Sequence, residues 1–340
     1  MSFALIFKRG IILFLALLLQ PLAAEEYYNG LPNVSTRAQC ECSSWVVSTD
    51  FLAWYASEEV ASIWADVITI GFNTSAWKAP SFNFKWDYGF RVGIGRDLVY
   101  DQWDTRLSWT WFRTDAKHTI AAQISTHNGP EFDAALLSGD TPESLSARWS
   151  LLFDMFDWEL GRSYWISKYL SLRPFLGLKG GWIDQSIHVQ YFDLTISNVP
   201  TTNTGREHLK NNFWGVGPLA GLDTKWAVRK FGCHFFNFFG DFSMATLWGR
   251  WKCGDVYENT LFKTTSVNMK NSTLGALMLR GFLGIGWDVD IRLGKAHFAT
   301  KLGYETQIWL NQLRLPTFQL QRLHHDLTLQ GATFNCQFDF

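Results

Sequence analysis

An alternation of apolar and polar residues with a period of two is the feature of this sequence that most limits its fold. In residues 82–95, every even position from Phe82 to Ile94 is apolar or aromatic, and every odd position from Asn83 to Gly95 is polar, charged or glycine. A β-strand points successive side chains to opposite faces, whereas a helix would spread both sets around its circumference. The segment therefore predicts a strand with one wholly apolar face and one hydrated face.

The same alternation recurs along most of the chain. The other segments that show it are residues 45–56, 60–70, 102–111, 147–161, 169–182, 185–192, 212–228, 235–250, 277–291, 296–310 and 334–340, which makes 12 candidate strands in all. Many exceed the ~5–6 residues usual in soluble sheets and match the ~9–11 residues that a tilted strand needs to cross a bilayer. Polar stretches at residues 114–146, 193–211 and 252–273 break the alternation and are expected to be long loops.

Composition separates a membrane barrel from a soluble β-sandwich, which is the alternative fold. Aromatic residues make up 16% of the chain, with 18 Trp and 28 Phe, yet the mean hydropathy is only −0.06. Trp and Tyr near the ends of the apolar faces, with charge along the opposite faces, are typical of outer-membrane barrels. We therefore predict an all-β chain that forms a transmembrane antiparallel β-barrel of about 12–16 strands, preceded by a cleavable signal peptide.

The first residues have the order expected of a secretory signal peptide. Lys8 and Arg9 precede an apolar run at residues 11–19, which is too short to span a bilayer, and small residues end at Ala24. We predict a signal peptide at residues 1–24, an N-terminal periplasmic segment at 25–43 and the barrel at 44–340. A retained N-terminal anchor is the alternative. Together with the predicted barrel, this signal predicts a location in the outer membrane of a Gram-negative bacterium.

The charge balance argues against nucleic acid as a partner. Loss of Lys8 and Arg9 takes the basic residues from 30 to 28 against 31 acidic ones, so the mature net charge is −3. The sequence contains no basic patch of the kind that a nucleic-acid surface requires. The expected partners are instead outer-membrane lipid and the barrel-assembly machinery, and a homo-oligomer is left open.

Five cysteines are an odd number and too few for a disulfide scaffold. Cys336 shares the apolar face of the last strand with Phe334, Phe338 and Phe340, so we expect it to be a free thiol that faces lipid. That strand should close the barrel against the first, at residues 45–55, because an open edge in lipid leaves backbone groups unpaired. Disulfide contacts with neighbouring proteins are then left to Cys40, Cys42, Cys233 or Cys253, with free thiols as the alternative.

Four motifs resemble those of a known family. They are WDYGFRVG at residues 86–93, RPFLGL at 173–178, NNFWGVGP at 211–218 and DLTLQG at 326–331. In the same order, they resemble motifs of the major outer membrane porins of chlamydia-related bacteria and Legionella. The resemblance covers about residues 45–340 and implies an abundant β-barrel porin, in some members cross-linked through cysteines. The terminal Phe338 and Phe340 also resemble the C-terminal signal by which bacterial barrels are recognised for assembly.

Charged residues on the hydrated faces are the candidate functional residues. In a barrel these faces line the lumen, where charge sets the field that a passing solute meets. We predict a porin-like channel for passive diffusion of small hydrophilic solutes. The predicted pore-lining residues are Lys85, Asp87, Arg91, Asp104, Arg106, Arg280, Asp288, Lys301 and Glu305. Cross-strand pairing that simply fills the lumen is the alternative role for them.

Motifs of catalysis do not stand out in the sequence. Eight His are present, but neither G-x-S-x-G nor H-E-x-x-H accompanies them. We therefore predict no enzymatic activity, no cofactor and no metal site. Two alternative functions stay open: a non-conducting barrel that serves as an envelope scaffold or adhesin, and a barrel hydrolase whose site is assembled across strands.

Overall fold

The computed structural model describes most of the chain from residue 44 onwards. The described residues are 44–58, 65–70, 75–78, 81–98, 103–121, 126–130, 140–141, 144–167, 169–196, 199–231, 234–260, 264–268, 272–291, 296–316 and 322–340. The predicted signal peptide, the predicted periplasmic segment and the cysteines at 40, 42 and 233 lie outside these ranges.

Strands make up nearly all of the described residues. In chain order they are β1 (Trp45–Glu58), β2 (Ala65–Ile70), β3 (Ser75–Lys78), β4 (Trp86–Asp97), β5 (Trp103–Ala121), β6 (Thr126–Pro130), β7 (Asp140–Thr141), β8 (Ser144–Arg162), β9 (Tyr164–Trp165), β10 (Leu170–Ile196), β11 (Val199–Phe231), β12 (His234–Asn259), β13 (Thr264–Asn268), β14 (Ser272–Ile291), β15 (Ala296–Pro316) and β16 (Arg322–Asp339). Within the described ranges no helix is long and apolar enough to cross a membrane.

A closed antiparallel barrel of 10 strands is the main architecture. Its strands follow the order β11-β10-β8-β5-β4-β1-β16-β15-β14-β12, and pairing of β12 with β11 completes the ring. The predicted closure of the first strand against the last is confirmed, since β1 pairs with β16 from Val46↔Asp339 to Glu58↔Leu327. The closed ring leaves no open sheet edge, as the bilayer interior requires.

The remaining strands add to this ring or stand apart from it. Short β7 and β9 pair with β10, and β13 pairs with β12. Strands β3, β2 and β6 form a separate three-stranded antiparallel sheet.

The barrel has fewer strands than the predicted 12–16. Of the 12 candidate segments, two form a single strand and a third lies outside the ring. Residues 169–182 and 185–192 belong to one strand, β10, and residues 60–70 contribute only β2, which pairs with β3 and β6 outside the ring. The expected loop at 193–211 is also largely strand, because β10 runs to Ile196 and β11 begins at Val199. Polar residues at this point had indicated a loop, but cross-strand pairing continues through them.

The two ends of the barrel differ in how their strands are connected. One end holds both barrel termini and the short connections, such as that between β11 and β12, which spans residues 232–233. The other end holds the three longest connections, at residues 59–85, 122–143 and 260–271, together with the two-residue connection between β10 and β11. We name them the turn end and the loop end. Outer-membrane barrels place short turns in the periplasm and long loops outside the cell, and by this rule we expect the loop end to be external.

The outward face of the barrel is apolar across its middle. Phe90, Trp109, Leu283 and Tyr304 point outward as expected, and Leu283 is 70% exposed. Phe84 does not: it precedes β4 and packs edge-on against Trp149, with ring centroids 5.4 Å apart, because the alternation of the strand no longer orients it.

Tryptophans mark both borders of the apolar band. We name the row nearest the loop end the loop-end girdle: Trp111, Trp182, Trp214 and Trp248. Trp182 and Trp214 are register partners on β10 and β11, and Trp214 is the register partner of Arg250 on β12. Trp45, Trp103 and Trp226 occupy the opposite border and are all exposed. Aromatic girdles of this kind sit at the two membrane–water interfaces of outer-membrane barrels.

Replacement of Cys336 by Ala is expected to leave both assembly and cross-linking unchanged. Cys336 is a free thiol on the outward face of β16, level with Thr49 and Thr300 on the flanking strands. There it acts as a small apolar residue. Heat-modifiable mobility in detergent gels, with and without reductant, measures both properties. Phe340→Glu is the contrasting variant and should impair assembly, and a native disulfide at Cys336 would contradict the expectation.

Candidate functional site

Charged side chains fill the turn-end half of the lumen. Ten of them, which project from the inward faces of eight of the ten barrel strands, form ion pairs with one another, and most of these ten are buried. We name this set the charge layer: Asp50, Arg91, Asp104, Asp157, Glu159, Arg173, Lys179, Asp223, Arg280 and Glu305.

Glu305 is the centre of one group within the charge layer and is fully buried. It accepts hydrogen bonds from Arg91 Nη2 at 2.8 Å, from Arg280 Nε at 2.7 Å and from Thr333 Oγ1 at 3.1 Å. Arg91 Nη1 also donates to Asp50 Oδ2 at 2.8 Å. Two carboxylates and two guanidinium groups from four strands are thus held together with charge balance.

Arg173 is the centre of a second group, which is richer in carboxylates. Its guanidinium donates to Asp104 Oδ2 at 2.9 Å, to Glu159 Oε2 at 2.9 Å and to Asp223 Oδ2 at 2.8 Å. Arg106 Nε adds an ion pair to Asp104 Oδ1 at 3.3 Å. Planar Arg suits this role because its fork of N–H groups can serve several carboxylates at once.

Lys179 and Asp157 form a third, buried ion pair. Lys179 Nζ donates to both carboxylate oxygens of Asp157, at 2.7 and 2.8 Å. The same ammonium lies 6.0 Å from the ring centroid of Trp309. Removing either partner would leave an uncompensated charge in the interior of the barrel.

Eight of the nine predicted pore-lining residues point inward. Arg91, Asp104, Arg280 and Glu305 belong to the charge layer. The other four inward residues are Asp87, Arg106, Asp288 and Lys301. Asp87 accepts a hydrogen bond from Thr114, and Asp288 accepts one from Asn237. The ammonium of Lys301 lies over the ring of Phe239. That they line a conducting pore stays a prediction.

Lys85 is the exception among the predicted pore-lining residues. Its side chain is 53% exposed, and near the loop end its ammonium lies 3.4 Å from Asp115 Oδ1 and 3.7 Å from Asp87 Oδ1. Lys85 precedes the first residue of β4, so the strand no longer directs it inward. Lys85 thus lies at the loop-end mouth of the barrel, and a pore-lining role for it stays a prediction.

Apolar side chains fill the loop-end half of the lumen, which had been expected to be polar. We name this set the apolar layer: Leu52, Trp54, Phe112, Phe153, Ile183, Phe213, Leu247, Met278, Trp309 and Leu329, each at most 1% exposed. Nine of the ten barrel strands contribute to it. The tenth, β4, contributes Gly89, where an added Cβ would lie only 3.0 Å from the ring of Phe112.

Contacts within the apolar layer cross the whole lumen. Phe153 on β8 and Trp309 on β15 meet edge to face, with ring centroids 5.7 Å apart. Four strands separate β8 from β15 in either direction around the ring. Arg91 lies 5.8 Å from the ring centroid of Trp54, so the charge layer and the apolar layer are in direct contact.

A bulge in β15 adds backbone to the apolar layer. Pairing with β16 shifts between Trp309 and Leu313, where Asn311 has a positive φ of 53°. The carbonyl of Gln312 accepts hydrogen bonds from Asn211 Nδ2 at 3.1 Å and from Trp251 Nε1 at 3.3 Å. Main chain from β15 is thereby tied to the facing strands β11 and β12.

The turn end of the lumen keeps a small cavity of about 130 Å³. Its lining includes Asp50, Arg91, Glu159, Arg280 and Lys301. The cavity is polar and large enough to hold water.

Cys253 is buried in the wall of the barrel beyond the loop-end girdle. Its thiol lies 3.2 Å from Asn211 Oδ1, to which it donates, and burial raises the pKa of the thiol to about 12. A thiol in this state is a poor nucleophile. The sequence left open a disulfide between Cys253 and a neighbouring protein. Such a disulfide would require the wall of the barrel to open. For the cysteines outside the described residues, disulfide contacts stay a prediction.

A closed antiparallel ring, an apolar outer band with tryptophan girdles and inward charges define an outer-membrane β-barrel protein. The family described as Legionella pneumophila major outer membrane protein precursor matches residues 37–340, and the chain belongs to that family. Its location is the bacterial outer membrane. No curated protein sequence matches the chain.

Solved outer-membrane proteins match the chain at low sequence identity. A major outer membrane protein from Thermus thermophilus is 8% identical, with 88% of this chain and 100% of that chain covered and a TM-score of 0.32. The outer membrane protease OmpT from Escherichia coli is 7% identical, with coverages of 87% and 96% and a TM-score of 0.36. A FadL homologue from Pseudomonas aeruginosa is 8% identical, with coverages of 88% and 90% and a TM-score of 0.25.

Proposed function

We propose that the protein is a non-conducting barrel with a structural role in the outer-membrane envelope. The observation that carries this proposal is the apolar layer, in which rings from opposite walls of the lumen are in contact. Passive diffusion of a hydrophilic solute needs a continuous hydrated path, and close-packed apolar side chains exclude water. The charge layer supports the same function, because its ions are already paired with one another.

The wall beyond the girdle supports a role at the cell surface. Strands β10 and β11 stay in continuous register from Trp182↔Trp214 to Tyr191↔Gly205, nine residues past the loop-end girdle. At ~3.3 Å per residue this is about 30 Å of paired strand outside the apolar band. Its inner side has a core of its own, which includes Tyr191 and Tyr257, both fully buried. A rigid sheet of this length suits an envelope scaffold or adhesin.

A porin-like channel is the second candidate. It is favoured by the turn-end cavity and by the charged groups around it, which would form the periplasmic vestibule of a pore. Both signs of charge are present there, so such a channel would select weakly between anions and cations. This candidate requires the apolar layer to move aside in another state of the protein.

Enzymatic activity forms no part of the proposal. No group of three or more His, Cys, Asp or Glu side chains within the described ranges could hold a metal ion. We propose that the protein has no catalytic activity and no cofactor. Assays of the folded barrel against peptide and ester substrates test this proposal. Steady hydrolysis of either substrate would contradict it.

Conductance of the folded protein in a planar bilayer distinguishes the two candidates. We expect no stepwise current from the wild type, because the apolar layer closes the lumen. Heat-modifiable gel mobility of the same preparation must show that the barrel is folded. Stable ohmic steps from a folded wild-type preparation would overturn the scaffold and support the porin-like channel.

A further inference from the structure

The outer wall carries a cluster of basic side chains just beyond the loop-end girdle. On β11, Lys210 lies four residues past Trp214, and on β12, Lys252 lies four residues past Trp248. Both lysines point outward and are exposed. Four residues span ~13 Å along a strand, which is about 10 Å above the girdle for a strand tilted by roughly 40°.

These lysines lie close together because of the strand register. Lys210 is the partner of Gly254, two residues from Lys252, so the two side chains are diagonal neighbours. Diagonal neighbours in an antiparallel pair lie ~7–8 Å apart, a separation that one phosphate group can bridge with two ammonium groups. The directly opposite position is a glycine, and the side chain of Asn268 from β13 lies against it.

A cleft surrounds the two lysines and has a volume of about 850 Å³. Its lining includes His188, Arg206, His208, Lys210 and Lys252. The one acidic side chain of the lining that faces outward is Glu258, the register partner of Arg206. Because the charge of Glu258 is offset by that of Arg206, the charges of Lys210 and Lys252 give the cleft a net positive charge.

Histidines add hydrogen-bonding groups to the cleft but no charge at neutral pH. His188 and His208 are register partners with ring centroids 3.8 Å apart. Burial, followed by the nearby His188 and Lys210, lowers the pKa of His208 to about 4. Burial also lowers the pKa of His188, next to Lys210 and Arg148. The positive charge of the cleft at pH 7 therefore comes from Lys and Arg.

We propose that this cleft binds the phosphate groups of a phosphorylated glycolipid in the outer leaflet of the outer membrane. Tryptophan girdles lie at the membrane–water interface, so side chains about 10 Å beyond them reach the level of lipid headgroups. Anionic headgroups complement the surplus charge, and the apolar band directly below the cleft receives the acyl chains. The inference concerns the outer wall and does not depend on whether the lumen conducts.

Binding of purified lipopolysaccharide to the detergent-solubilised, folded barrel tests the proposal. The variant is Lys210→Gln with Lys252→Gln, and Arg96→Gln with Arg162→Gln is the matched control, since both arginines lie near the turn end. Each lysine near an anionic surface contributes roughly fivefold in affinity, so the lysine variant should bind about 30-fold more weakly. The control should bind as the wild type does.

Two further ligands identify the source of the phosphate. Dephosphorylated lipopolysaccharide should bind the wild type as weakly as intact lipopolysaccharide binds the lysine variant. Inorganic phosphate should not compete at millimolar concentration. Equal affinity of wild type and lysine variant, an equal loss in the arginine control, or full competition by inorganic phosphate would each overturn the glycolipid site.

Discussion

Replacement of Glu305 by Gln should lower the free energy of unfolding of the barrel by about 3–5 kcal/mol. The substitution keeps the shape of the side chain but removes the charge that Arg91 and Arg280 share at 2.8 and 2.7 Å. Asp50 still pairs with Arg91, but the guanidinium of Arg280 loses its carboxylate partner in the charge layer. Urea unfolding in lipid vesicles, followed by tryptophan fluorescence, measures the change.

Glu258→Gln is the matched control for this experiment. Glu258 is exposed on the outer wall, and the change of charge and shape is identical. Exposed substitutions of this kind stay within about 0.5 kcal/mol of the wild type. A loss at Glu305 no larger than that at Glu258 would show that the charge layer contributes little to stability.

Replacement of Trp309 by Ala should cost about 3–5 kcal/mol of unfolding free energy, because a large buried side chain leaves a cavity that its neighbours cannot fill. Trp309 is fully buried and contacts Phe153 from the opposite wall. The same urea titration measures this loss. Combined with Phe153→Ala, the substitution also removes both partners of the contact that crosses the lumen.

Trp248→Ala is the control for packing in the lumen. Trp248 is 57% exposed on the outward face, so its removal creates no internal cavity. We expect a clearly smaller loss than at Trp309, and an equal loss at the two positions would contradict the assignment of Trp309 to a packed core. Conductance of the folded Phe153→Ala, Trp309→Ala double variant then shows whether the apolar layer closes the lumen.

The alternation in the sequence predicts most of the strands and their facing. It places Arg91 and Glu305 inward and Phe90 and Tyr304 outward, all as found. Pairing of the first and last strands also follows from sequence, because a barrel in lipid cannot have an open edge. The lengths of β10 and β11 do not follow, since strands that continue past the bilayer no longer need an apolar face.

The partners within the charge layer show what the sequence could not supply. Residues 147–161 alternate weakly because their inward face changes character along the strand, from Trp149 and Phe153 near the loop end to Asp157 and Glu159 near the turn end. A search for one polar face and one apolar face overlooks such a strand. The change in character within one face was the signal for both Asp157 and the apolar layer.

Ion pairs between residues far apart in sequence are a second feature that the sequence does not predict. Arg173 meets Asp104 and Asp223 only because β10 lies two strands from β5 and beside β11. Alternation predicts which face of a strand each side chain occupies. The register between neighbouring strands, however, depends on how the ring closes. Which carboxylate meets which guanidinium is therefore a property of the closed barrel.

The bulge in β15 makes the interior of this barrel dependent on chain length as well as on side chains. Gln312 enters the lumen through its carbonyl group, so a substitution that changes only its side chain leaves that contact to Asn211 and Trp251 in place. A relative that has lost the two extra residues between Trp309 and Leu313 would pair β15 and β16 without interruption and withdraw this backbone from the lumen. We therefore expect chain length at this point, rather than the identity of any one residue, to decide whether the backbone of β15 obstructs the interior of a related barrel.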